Sequence, residues 1–161
     1  MHFEELVQMA VPIGQRLKAR AETIAIAESS AGGLLSAALL AVPGASAYFL
    51  GGGVVYTLPA RRMIARIADE EMRGMRSASE PYAQILAQRS RENLGAVWGL
   101  AETGASGPAG NRYGDAAGHS CIAISGPVNK VMTLETGQTD RLQNMMRFTA
   151  SALALLSEAL G

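Results

Sequence analysis

Apolar positions change their spacing several times along this chain, and the changes divide it into alternating helices and strands. Leu6, Met9, Ala10, Ile13 and Leu17 recur at helical spacing within Phe3–Arg20, with Pro12 predicting a kink or a later helix start. Thr23–Ala27 is a short continuous apolar run and reads as a buried strand. Gly33–Ala41 reads as a buried helix that Val42-Pro43-Gly44 ends. Ala47–Tyr56 is β-branched and aromatic in character, predicting a strand in which Gly51-Gly52-Gly53 marks a bulge or a close backbone approach. Pro59–Ile67 opens as a helix, and the polar Ala68–Met75 mixes helix with loop.

Ser79-Glu80-Pro81 is a helix start that carries through Asn93, with Ile85, Leu86 and Leu94 on one face. Ala96–Ala101 reads as a strand, followed by a glycine-rich turn, Glu102–Gly110. His119–Ile124 and Lys130–Glu135 predict a hairpin around Gly126-Pro127, and Gln138–Leu160 a closing helix. This alternation predicts a three-layer α/β/α sandwich with a mixed, mostly parallel sheet, one domain over residues 1–161. A single intact domain beginning at Met1 suggests a free-standing form.

Composition narrows the picture. With 161 residues, 48% hydrophobic and 17% charged, the chain is globular and long enough for one sizeable core. Zero net charge and the lack of a basic run argue against a nucleic-acid partner. No uninterrupted apolar stretch is long enough to span a bilayer, and the first residues lack a signal-peptide pattern, so a cytoplasmic protein without a membrane partner is expected. The single cysteine, Cys121, excludes an internal disulfide and a multi-cysteine metal site, and reads as a small buried hydrophobe. No metal or other cofactor is expected; Asp115 and Glu28 are not spaced as ligands.

Candidate chemistry gathers in the loops that follow strand ends, where open α/β sheets bind ligands. Three such loops, Glu28–Gly33, Tyr56–Arg62 and Glu102–Gly110, are rich in small residues or carry hydroxyl and guanidinium groups suited to a phosphate and a sugar. In the first, Ser29 and Ser30 precede a helix whose leading N–H groups lack intrahelical partners. Either the serines face a ligand in an anion-friendly hollow, or one of them is an N-cap and Gly32-Gly33 ease packing. Glu28 either orients the serine turn or is an ordinary helix-start acid.

The residues resemble the CinA C-terminal domain family. Its A-E-S-C-T-G-G signature is similar to Ala27-Glu28-Ser29-Ser30-Ala31-Gly32-Gly33. Its P-G-S-S-x-x-F stretch resembles Pro43–Phe49, and its G-x-V-x-Y-S-N-x-x-K stretch resembles Gly52–Arg61. G-A-V-S-E-x-V resembles Met75–Pro81, and T-G-I-A-G-P-x-G is close to Thr103–Gly110. The resemblance implies hydrolysis of the carboxamide of nicotinamide mononucleotide to nicotinic acid mononucleotide and ammonia. Carried over by position, Ser29 is the nucleophile, and Arg61 stands where the family has the lysine that activates it. Ser30, Gly32, Gly33, Tyr56, Thr103, Gly104 and Gly107 would line the ligand site, the glycines through their backbone.

Several polar positions depart from the pattern. Arginine stays protonated and cannot deprotonate a serine, whereas Arg61, with Arg62 beside it, is well suited to hold an anion. The two lysines, Lys18 and Lys130, lie in the first helix and the late hairpin, and neither is an obvious replacement. Ser30 replaces the family cysteine and Ala31 its threonine. K-P-x-G becomes Asp115–Gly118, and G-D-R-x-x-x-R becomes Gly137–Gln143, with Arg141 or Arg147 as substitute cations. Three readings compete. One is a divergent deamidase using His119 as base, or with His119 only a packed strand residue. The second is a protein that hydrolyses a related amide or binds a nucleotide without turnover. The third is a regulatory subunit, with a homo-oligomer formed through Met145, Met146, Leu153, Leu155 and Leu156 unless these are plain core.

Overall fold

The computed structural model describes all of residues 1–161, and its centre is one five-stranded sheet. The strands are β1 (Ile24–Glu28), β2 (Phe49–Val54), β3 (Trp98–Ala105), β4 (His119–Ser125) and β5 (Lys130–Glu135), in the order β2-β1-β3-β4-β5. β1 pairs in parallel with both β2 and β3, while β3–β4 and β4–β5 are antiparallel. Four strands therefore share one direction and β4 alone is reversed, as expected of a mixed sheet that ends in a hairpin.

Burial explains which sequence runs looked continuous. β1 and β4 are interior strands covered on both faces, and every residue of each is buried. The edge strand β2 alternates half-buried and exposed positions. The helices divide between the faces. α1 (Phe3–Ala19), α2 (Leu34–Leu40) and α5 (Arg141–Leu160) share one core with Ile24, Ile26, Leu100 and Ile122. α4 (Glu80–Leu94) packs on the other face around Ala27, Ala101, Cys121 and Ala123. This gives the three layers predicted.

Several local expectations are corrected. α1 runs through Pro12 from Phe3 rather than starting after it. Pro12 and Gln8, whose carbonyl loses its partner, both lie on the exposed face, where water can reach that carbonyl. The Pro59–Ile67 helix is shorter, α3 (Leu58–Met63), capped by Thr57 Oγ1 accepting from Ala60 N at 3.3 Å. Ser79 caps α4 in the same way. β3 extends through Ala105, so Glu102, Thr103 and Gly104 belong to a strand and not to the predicted turn. On α5, Leu153, Leu155 and Leu156 are buried in the chain's own core and are not free for an oligomer interface.

Candidate active site

Parallel strands end on the same side of a sheet, so the segments leaving β1 and β2 and the end of β3 meet. There they enclose a cavity of about 350 Å³. Ser29 follows β1; Tyr56 and Thr57 follow β2; Arg61 comes from α3; Thr103 and Gly104 come from β3. Ser77, Ala78 and Tyr82 close the α4 side, and Asn111, Arg112 and Tyr113 form the outer wall. Of the expected site residues, the structure brings together Ser29, Arg61, Tyr56, Thr103 and Gly104. Ser30, Gly32, Gly33 and Gly107 lie outside the cavity.

The reason lies in two carboxylates that satisfy the serine turn from behind. Glu28 accepts from the N–H groups of Gly33 (3.0 Å), Leu35 (2.9 Å) and Ser36 (2.9 Å), and from Ser36 Oγ (2.7 Å). It ties down the end of the serine turn at Gly33 and the first N–H groups of α2 at once, so it both orients the turn and acts as a helix-start acid. Glu102, fully buried on β3, accepts from Ser29 N (3.2 Å), Ala31 N (2.7 Å), Ser120 Oγ (3.0 Å) and Ser30 Oγ. Ser30 is thereby turned inward. The anion-friendly hollow expected at the α2 N-terminus does not exist, because its donors already have anions. Ser30 N–H is left as the uncommitted donor of the turn, next to Ser29.

Burial raises the Glu102 carboxyl above the ordinary glutamate range, against the four hydrogen bonds that favour its charge. Gly32 and Gly33 both have positive φ, 67° and 99°, so they shape the turn. A Cβ on Gly32 would meet Met145 of α5. Gly107 touches the site only indirectly: its carbonyl accepts from Arg141, which also donates to Tyr56 Oη at 3.1 Å. Of the two arginines considered as substitute cations, Arg141 is the one bonded to a cavity-lining residue.

His119 is not a base for Ser29. It lies outside the cavity lining, and its Nε2 donates to the Ala78 carbonyl at 2.8 Å while Nδ1 meets Glu135 at 2.5 Å. Burial works against its charge, but these two partners outweigh it and raise its pKa. Thr103 Oγ1 accepts from Ala78 N at 3.2 Å, so the same short segment is pinned from two strands. Arg76 then ties it to the outer loop through Asp115 at 2.6 Å. Tyr113 lies between Arg76 and Arg112, with guanidinium carbons 5.3 and 5.2 Å from its ring centre.

The lining carries two full charges, Arg61 and Arg112, and no carboxylate. Its hydroxyls belong to Ser29, Thr57, Ser77, Tyr56, Tyr82, Thr103 and Tyr113. No lysine, histidine or acid is present to take a proton from Ser29, whose hydroxyl makes no hydrogen bond with another protein group.

Residues 6–160 match the family model of the CinA C-terminal domain. The chain belongs to the CinA family. It is 34% identical to a CinA-like protein of Anaeromyxobacter sp. (strain K) over 96% of this chain, and 40% identical to one from Gloeobacter violaceus over 65%. These alignments cover 38% and 25% of the relatives, so the chain spans well under half the length of the curated CinA-like proteins it matches. A crystal structure of competence damage-inducible protein A from Klebsiella pneumoniae superposes with a TM-score of 0.90 at 26% identity, covering 96% of each chain. A CinA superfamily protein from Escherichia coli gives 0.88 at 26% identity, over 95% of this chain and 89% of the other. No helix is long and apolar enough to cross a membrane.

The serine turn, Arg61 and Thr103 were legible as motif positions. Sequence reasoning missed Glu102 and Tyr82. Glu102 precedes the Thr103 motif and carries no spacing signal; its partners come from elements 71 to 73 residues earlier and 18 later.

Proposed function

We propose that this CinA domain binds nicotinamide mononucleotide in the cavity and that Ser29 attacks its carboxamide carbon. The Ser29 Oγ–carbon bond forms, the carbon–nitrogen bond breaks, and ammonia leaves. Water then cleaves the acyl-serine to nicotinic acid mononucleotide and frees Ser29. The observation that carries this reading is the placement of Ser29 with two guanidinium groups and no carboxylate in one cavity of mononucleotide size. Kinship to CinA proteins supplies the candidate substrate.

A second reading has its own support: no lining side chain is a proton acceptor for Ser29, because Arg61 stays protonated. The serine proton then has only water and the departing nitrogen to receive it, so turnover is slow or absent while binding persists. Ammonia release and nucleotide binding, measured on the parent, Ser29→Ala and Arg61→Lys, separate the two. Release abolished in Ser29→Ala supports the hydrolase. Binding without release in the parent, with release in Arg61→Lys, supports a site disabled at one position. No binding and no release in any of the three overturns both.

A further inference from the structure

Arg61 is a poorly compensated cation. Its side chain is only 14% exposed, and its Nε is the one buried side-chain nitrogen or oxygen in the chain with no hydrogen-bond partner. The nearest carboxylate, Asp69, is committed to its neighbour. Arg62 binds Asp69 through Nε at 3.0 Å and Nη2 at 2.5 Å, whereas Arg61 reaches it through one bond at 3.3 Å. A buried charge without a well-placed partner is costly, and that cost falls when an anion arrives.

A second donor lines the same cavity. Tyr82, in the first turn of α4, is 4% exposed, and its hydroxyl makes no hydrogen bond with another protein group. Burial pushes this phenol up to about 12, so it remains a proton donor at neutral pH. Arg112, by contrast, is exposed at the cavity's outer wall. A doubly charged, strongly hydrated phosphate suits that wetter cation. A single carboxylate on a flat ring suits the buried pair of donors.

We propose that Arg61 and Tyr82 form an oxyanion subsite that holds the carboxylate of a pyridine mononucleotide in preference to the corresponding carboxamide. The inference rests on the nucleotide-binding reading above but not on turnover. Arg61 can only donate, so an amide offers it one acceptor oxygen and turns its NH2 away, whereas a carboxylate offers two charged acceptor oxygens, one for Arg61 and one for the Tyr82 hydroxyl. The arginine that cannot serve as a base therefore turns the reacting end of the site toward the acid.

Calorimetry with nicotinic acid mononucleotide and nicotinamide mononucleotide tests this on the parent, Arg61→Gln and Tyr82→Phe, the last keeping the packing of the ring. The acid should bind about tenfold more tightly than the amide in the parent, a charge-assisted advantage. Arg61→Gln should erase the preference, and Tyr82→Phe should weaken the acid alone. Equal affinities, or tighter binding of the amide, overturn the inference while leaving the nucleotide reading intact. Ribose 5-phosphate is the control for the other oxyanion: if its binding is what Arg61→Gln abolishes, Arg61 holds phosphate and the carboxylate assignment fails. If neither nucleotide binds, the nucleotide reading fails, and nicotinate against nicotinamide by ligand-observed NMR decides the subsite alone. Saturation transfer to nicotinate that is present in the parent and absent in Arg61→Gln sustains the subsite. Absence of transfer in the parent overturns it.

Discussion

Ser30 donates its hydroxyl hydrogen to Glu102, and through that bond the carboxylate of β3 grips the turn that presents Ser29. One oxygen of Glu102 takes the backbone N–H groups of Ser29 and Ala31, and the other takes the hydroxyls of Ser30 and Ser120. The nucleophile candidate is therefore held by a neighbouring strand, not by the helix it precedes.

This split between backbone and hydroxyl partners predicts that Glu102→Gln is tolerated. The amide oxygen can accept both N–H groups, and the amide nitrogen can donate to both hydroxyls. Glu102→Ala leaves those N–H groups buried and unpaired and should cost about 3 kcal/mol in urea unfolding. Because the folded-state pKa is raised, the parent's stability falls as pH rises from the ordinary glutamate value through the folded one. Glu102→Gln should lack that component, which thermal unfolding across about pH 4 to 8 would show.

His119 titrates with a visible sign. Its raised pKa means that its contribution to stability is fully present below the ordinary histidine value and is lost as pH rises through the folded one. His119→Gln keeps a donor for the Ala78 carbonyl and removes the titration. Between about pH 6 and pH 8 the parent should lose roughly 2–4 °C more in Tm than this variant. Identical slopes would show that the Glu135 contact does not hold the imidazolium.

Gly104→Ala should unfold part of the sheet. A Cβ at this position would lie 2.2 Å from the His119 carbonyl oxygen and 2.8 Å from Ser120 Cα, both backbone atoms of β4 that cannot step aside. Destabilisation of at least about 2 kcal/mol is expected, with loss of ligand binding following loss of fold. Full stability in urea would mean that the β3–β4 pairing yields there.

Removing the shared carboxylate should sharpen the anion site. Asp69→Asn leaves Arg61 with no counter-charge, and because Asp69 is exposed and solvent screens its ion pairs, the urea midpoint should hardly move. Affinity for nicotinic acid mononucleotide should rise about two- to fivefold at low salt, with the gain disappearing as salt is raised. Weaker binding would instead show that Asp69 positions Arg61.

The fold was legible because its cues are local. The strand runs at Ile24–Glu28 and His119–Ser125 are apolar throughout because both faces are covered, and the Ser79 cap and Gly126-Pro127 turn mark their own boundaries. The site was legible only in part. Ser29, Tyr56, Arg61, Thr103 and Gly104 stand at motif positions that also line the cavity, whereas Ser30, Gly32, Gly33 and Gly107 stand in the same motifs and do not. A motif records neighbours along the chain, and one residue's step along a turn moves a side chain from the cavity to the core.

What the sequence determined by itself was the alternation of elements, the α/β class, the family resemblance and the loss of a lysine at position 61. The first two follow from periodicity and residue type, and the last two from comparison with the family's motifs, all of which the linear order of residues contains. Tertiary structure decided that Glu28 and Glu102 take most of the donors of the serine turn, that His119 is bound to Glu135 and the Ala78 carbonyl away from Ser29, and that Arg61 and Tyr82 share a cavity. Each of those facts depends on distances between segments far apart in the chain, set by sheet order and by the packing of α4 against β1 and β3.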